Sequence, residues 1–123
     1  MAGQAVPAGW PRDLPPPDHA DFERRAVGWL LDVGPVDVRA HDALRAWPPA
    51  LGHLVVRHLE STTAGLRSAY ADCRRTLTGT LSPEGLADVL AALESLGAAA
   101  AAREREARLV VDALNGRRWT ARL

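Results

Sequence analysis

Lysine and isoleucine are absent from this 123-residue chain, and cysteine, methionine, phenylalanine and tyrosine occur once each. All fifteen basic side chains are therefore arginine. A GC-rich coding sequence accounts for every one of them together, because Arg and Ala codons are GC-rich and Lys and Ile codons are not. Selection of arginine for bidentate anion binding is the sharper alternative. A single cysteine, Cys73, excludes an intrachain disulfide. No charge of one sign prevails: fifteen acidic residues balance the arginines. That argues against a bulk electrostatic role such as coating nucleic acid or an anionic bilayer.

Uninterrupted apolar runs are short, well below the roughly 18 residues of a membrane span. The stretch from Met1 to Pro7 has neither the basic cluster nor the apolar run of a signal peptide. The expectation is a cytoplasmic protein with no membrane segment. Glycine-rich phosphate loops, paired catalytic carboxylates on one face and local Ser/His/Asp arrangements are also missing. The chain thus reads as non-enzymatic, with no cofactor and no metal expected.

What is present is helix pattern, cut by prolines. Residues 1–17 hold Pro7, Pro11, Pro15, Pro16 and Pro17, which predicts an extended arm anchored by Trp10 and Leu14. Residues 18–123 read as one helical domain. A first helix is expected from about Asp18 to Val33, with Asp18 as cap and Phe22, Ala26, Trp29, Leu30 and Val33 at helical spacing. Gly34-Pro35 should end it, the glycine taking a left-handed cap. Val36 to Trp47 reads as one short helix or two helical turns.

Two long helices follow. The first should open at Pro48-Pro49 and reach Leu77, with a heptad seam of Val55, Leu59, Thr62, Leu66, Ala69 and Cys73. Beside the seam runs a small or polar flank of His58, Ser61, Gly65 and Ser68. The second should start with Ser82 as N-cap and Pro83 at the first helical position, and end near Leu114 at Asn115-Gly116. The link from Thr78 to Leu81 is short, so the two lie antiparallel. Registered through that turn, the Gly97–Ala102 run falls opposite Leu59 and Thr62. Gly65 and Ala100 are then expected where the backbones approach closely. The fold class is all-α: an antiparallel long-helix hairpin completed by the shorter N-terminal helix into a three- or four-helix bundle, behind a Pro-rich arm.

Within this topology Trp47, at the start of the hairpin, and Trp119, just after it, share the open end. His53 and His58 lie in the first turns of the first long helix, and Arg117 and Arg118 follow the second. These six are the candidate binding residues. The plainer reading is a tryptophan cluster pinning arm, first helix and tail to the hairpin; the sharper one is an aromatic and arginine binding surface. His53 and His58 are five apart, a poor spacing for joint metal ligation, and His19 with Glu23 makes only two ligands. Cys73 falls in the seam and reads as a buried structural thiol. The basic run from Arg117 to Arg122 either pairs with Asp18, Asp21 and Glu23 and with the carbonyl end of the last helix, or contacts phosphate.

The leading functional reading is an interaction protein, self-associating as a dimer or binding a protein partner. The first helix, at about 16 residues, is too short to cover a hairpin of roughly 45 Å. One alternative is a small-molecule binder or enzyme with a pocket at the open end. The other is a nucleic-acid accessory protein using the arginine-rich tail, which the neutral charge disfavours.

Overall fold

A computed structural model describes residues 5–120; Arg122, part of the basic tail, lies outside them. The elements are α1 (Phe22–Val33), a 3-10 turn (Val36–Ala40), α2 (Asp42–Ala46), α3 (Pro48–Leu77) and α4 (Pro83–Leu114). No strand occurs among the described residues beyond isolated bridges. The chain is all-α, and α3 and α4, of 30 and 32 residues, make a long packed hairpin that holds about half of the 123 residues.

The hairpin is set by its end chemistry. Pro48 and Pro49 stand in the first turn of α3, where the missing N–H costs nothing. Gly79, at φ +90°, turns the chain after Leu77. The Ser82 hydroxyl then accepts from the Gly85 N–H at 3.0 Å and starts α4 behind Pro83. At the far end Gly116 takes φ +100°. Its N–H reaches the Ala113 carbonyl, and the Arg117 N–H reaches that of Asp112. This is a Schellman closure, which satisfies carbonyls the helix leaves free. Arg108 bridges Glu104 on its own helix and Glu60 on α3, at 3.2 and 3.1 Å.

The core lies at the open end of the hairpin. Phe22, Ala26 and Leu30 of α1 meet Leu51, Val55 and Leu59 of α3 and Ala107, Val110 and Ala113 of α4, all buried. Close approach occurs here, at glycines. A Cβ on Gly52 would stand 2.7 Å from Val111 Cγ2, and one on Gly34 would stand 2.9 Å from Val55 Cγ2.

Several expectations are corrected. Helix α1 begins at Phe22, not Asp18. Among the described residues before it, 5–21, turns occur in which the Pro7, Pro11 and Pro16 carbonyls accept from Trp10, Leu14 and His19. Proline fixes φ yet keeps its acceptor, which suits such turns. Gly34 is at φ −84°, so its lack of a side chain serves packing on Val55 rather than a left-handed cap. Thr62 and Ala69 of the expected seam are exposed, while Leu51 and Thr63 are buried. The buried stripe runs 51, 55, 59, 63, in steps of four. Each such step advances about 40° around the helix, so the stripe winds away from a heptad line. Gly65 is not at a close contact: a Cβ there would meet nothing within 4 Å. Ala100 is half-buried.

Candidate functional site

The open end brings some of the candidate residues together and spends their polar groups internally. Arg118 donates from Nε to the Asp18 carboxylate at 2.7 Å and from Nη1 to the Ala113 carbonyl at 2.9 Å. Arg117 pairs with Asp112 at 3.0 Å and stacks over the Trp119 ring at 5.1 Å. Trp119 packs edge-on against Trp10, centroids 5.7 Å apart, and Trp10 in turn lies 5.8 Å from Phe22. An antiparallel bridge between Ala5 and Trp119 ties the two segments. Here Trp10, Trp119 and Phe22 form one aromatic contact chain that fastens the N-terminal turns and the tail to the hairpin.

The other candidates do not join it. Trp47 is 69% exposed, and its carbonyl accepts from Ala50 and Leu51 at the start of α3. His53 is exposed on a shallow depression shared with Arg108, Asp112 and Asn115. His58 is half-buried on a different side of α3, five residues on. A second depression, which sequence reasoning did not pick out, lies between Pro17, His19, Phe22, Glu23, Pro48 and Arg118. His19 is engaged in it, since its Nδ1 accepts from the Asp21 N–H at 3.0 Å. Among the described residues no buried polar side-chain atom lacks a hydrogen-bond partner. No group of three His, Cys, Asp or Glu side chains there is arranged to hold a metal ion.

The distal half of the hairpin contrasts with this end. Helix α4 carries one 18-residue segment, 85–102, that is long and apolar enough by length and composition to cross a bilayer. Asp88 and Glu94 interrupt it, so its apolar residues form no continuous run. Leu90 alone in that segment is buried; Leu96 is 55% exposed, and Tyr70 on the facing helix 44%. Distal to Thr63, the other buried position on α3 is Cys73. Comparison with known proteins finds no matching family model, no matching curated protein and no matching solved structure. The apolar distal face is therefore read on its own physical terms. It can offer area and shape to another surface, with Asp88, Glu94 and Tyr70 among its polar groups.

Proposed function

We propose that this chain is a non-enzymatic helical interaction protein that self-associates through the distal half of its hairpin. One observation carries the reading: segment 85–102 of α4 is apolar over about 27 Å of helix, yet only Leu90 within it is buried. Its exposed positions are mostly alanine, with Leu96 the one large apolar side chain among them, and an apolar face of this kind supports a reading as an interaction surface. Helix α1, with 12 residues and a length of about 18 Å, completes a bundle at the open end only. A second copy brings a matching bare arm, and a closed twofold dimer is the commonest assembly of such surfaces.

A lipid bilayer is the other surroundings such a helix can occupy, and the charges count against it. Asp88 and Glu94 lie inside the segment, and an ionised carboxylate at mid-bilayer costs about 2.5–3.5 kcal/mol on insertion scales. The packed partner α3 adds Arg67, Asp72, Arg74 and Arg75 at the same depth. A nucleic-acid role is disfavoured because Arg117 and Arg118 are already paired to Asp112 and Asp18. Sedimentation velocity across the micromolar range is the test. The expected result is a concentration-dependent passage from monomer to dimer, and a strict monomer at high micromolar concentration overturns the proposal.

A further inference from the structure

Where the N-terminal turns cross α1 and α4, a depression of about 410 Å³ opens between residues 9–13, Trp29 and one side of α4. Local contacts fix its frame. Gly9, at φ +87°, lets the turn come down on α4, where its would-be Cβ stands 3.8 Å from Leu109 Cδ1. Trp10 Nε1 donates to the Leu14 carbonyl at 3.2 Å, and Arg25 donates to the Asp13 carbonyl. Trp29, only 9% exposed, supplies an apolar wall. Its indole N–H has no acceptor among the described residues, and no partnerless side-chain nitrogen there is fully buried.

The α4 wall follows from helix geometry. Ala102, Glu106 and Leu109 fall within about 60° of arc, with Arg105 beyond one margin and Arg103 beyond the other. Ala102 contributes only a methyl group, which leaves room between the two arginines. The charges do not balance. Arg12, Arg103 and Arg105 line the depression against two carboxylates, Asp13 and Glu106. Arg103 is committed to Glu106 at 3.6 Å. Arg12 and Arg105 have no acidic partner among the described residues. Two guanidiniums, one on the turn and one on α4, therefore keep their donors for something else.

We infer that this depression binds a small organic monoanion, a carboxylate carried on a ring-sized apolar body. The body lies against Trp29 and the Ala102 methyl. Arg12 and Arg105 take the carboxylate from facing walls, since a guanidinium offers paired donors to a planar anion. One negative charge matches the excess of one arginine. A phosphate monoester carries nearly two at neutral pH and would stand overcharged beside Asp13 and Glu106. The volume lies within the range of about 300–1,000 Å³ usual for small-molecule sites. The site is separate from the distal half of the hairpin, so it stands or falls independently of self-association.

Nuclear magnetic resonance titration of the full chain tests it, with benzoate as the probe and benzamide and inorganic phosphate as comparators. Benzoate is expected to move the Trp29 indole N–H and the amides of residues 9–13 and 102–106 along one saturating curve. Titration to about 10 mM covers the weak affinity of so small a probe. Benzamide keeps the ring without the charge, and phosphate keeps a charge without the ring. Each is expected to bind at least about threefold more weakly. Arg12→Gln and Arg105→Gln, both at exposed positions, should keep the parent circular dichroism and each weaken benzoate by at least about threefold. Ala102→Leu fills the depression and should abolish binding. If it loses helix content, the arginine variants decide alone. Arg74→Gln, at an exposed arginine of the distal hairpin, should change nothing. No saturable shift at these residues, or binding that both arginine variants leave intact, overturns the inference. Phosphate binding as tightly as benzoate also overturns it, because the arginines would then take any anion without regard to its body.

Discussion

Gly52 of α3 lies so close to Val111 of α4 that a Cβ built on the glycine would stand 2.7 Å from Val111 Cγ2. Gly65, thirteen residues further along the same helix, has no atom within 4 Å of its would-be Cβ. The two glycines should respond to alanine with opposite signs. Gly65→Ala gains helix propensity at no steric cost and should stabilise by about 0.5–1 kcal/mol. Gly52→Ala gains the same propensity but overpacks a β-branched neighbour, a cost of about 1–3 kcal/mol, for a net loss of roughly 1 kcal/mol. Thermal melts at low protein concentration check this, and shifts of the same sign would contradict the placement of α4 on α3.

The tail separates charge from packing. Arg118 and Asp18 are joined at 2.7 Å, but their side chains are 44% and 58% exposed, and such surface pairs contribute about 0–1 kcal/mol. Trp119 is half-buried against Trp10, and loss of its ring removes apolar area worth roughly 1–3 kcal/mol. Denaturant titrations should therefore show Trp119→Ala costing more than Arg118→Ala. Added salt should reduce the cost of Arg118→Ala and leave that of Trp119→Ala nearly unchanged. The reverse order would mean the ion pair, not the ring, holds the tail.

Ser82 offers a cleaner measure of a single cap. Its hydroxyl accepts from the Gly85 N–H at 3.0 Å, and it is exposed, so replacement disturbs no packing. Ser82→Ala should cost about 0.5–2 kcal/mol, and Ser82→Asp should restore most of it, since a carboxylate also favours a helix N-terminus. Equal melting of parent and both variants would show that the turn after Gly79, rather than the cap, fixes the start of α4.

The elements most legible in the residues are those with strong end signals. Pro48 to about Leu77 and Pro83 to about Leu114 were readable because proline, serine and glycine mark each boundary by local chemistry. Asp18 misled because a cap-like residue before an apolar helix looks the same whether it caps or not. Here its carboxylate takes Arg118, one hundred residues away. The seam failed at Thr62 and Ala69 for a related reason. Periodicity gives a phase only relative to a neighbour, and α3 packs against α1, α2 and α4 at its upper end and against α4 alone below. At the candidate site, local sequence grouped Trp47 with Trp119, whereas contact distances join Trp119 to Trp10 and leave Trp47 exposed. Gly52 gave no signal and Gly34 was read as a left-handed cap, because a glycine needed for space is indistinguishable in sequence from one that serves a turn or merely tolerates its place.

Cys73 reports on the distal arm. Its thiol is buried, 3% exposed, in a stretch of α3 where few other side chains are covered. Burial should block alkylation of the folded chain, so labelling must wait for an opening of the structure. The open-end core holds the larger apolar cluster, so the distal helices should separate in a local event that costs less than global unfolding. Cys73 should then label faster than the global unfolding rate measured under the same conditions. Amides near Leu90 should likewise exchange sooner than those near Val110. Self-association through the distal half of the hairpin, as proposed, adds a second consequence: both rates should fall as protein concentration rises, because a bound copy stabilises only the closed arm. The Leu96→Glu variant should lose that concentration dependence while keeping the fast labelling. Labelling of Cys73 no faster than global unfolding at any concentration would mean that the hairpin opens as one cooperative unit with the core, and that its distal half is held by more than its own sparse contacts.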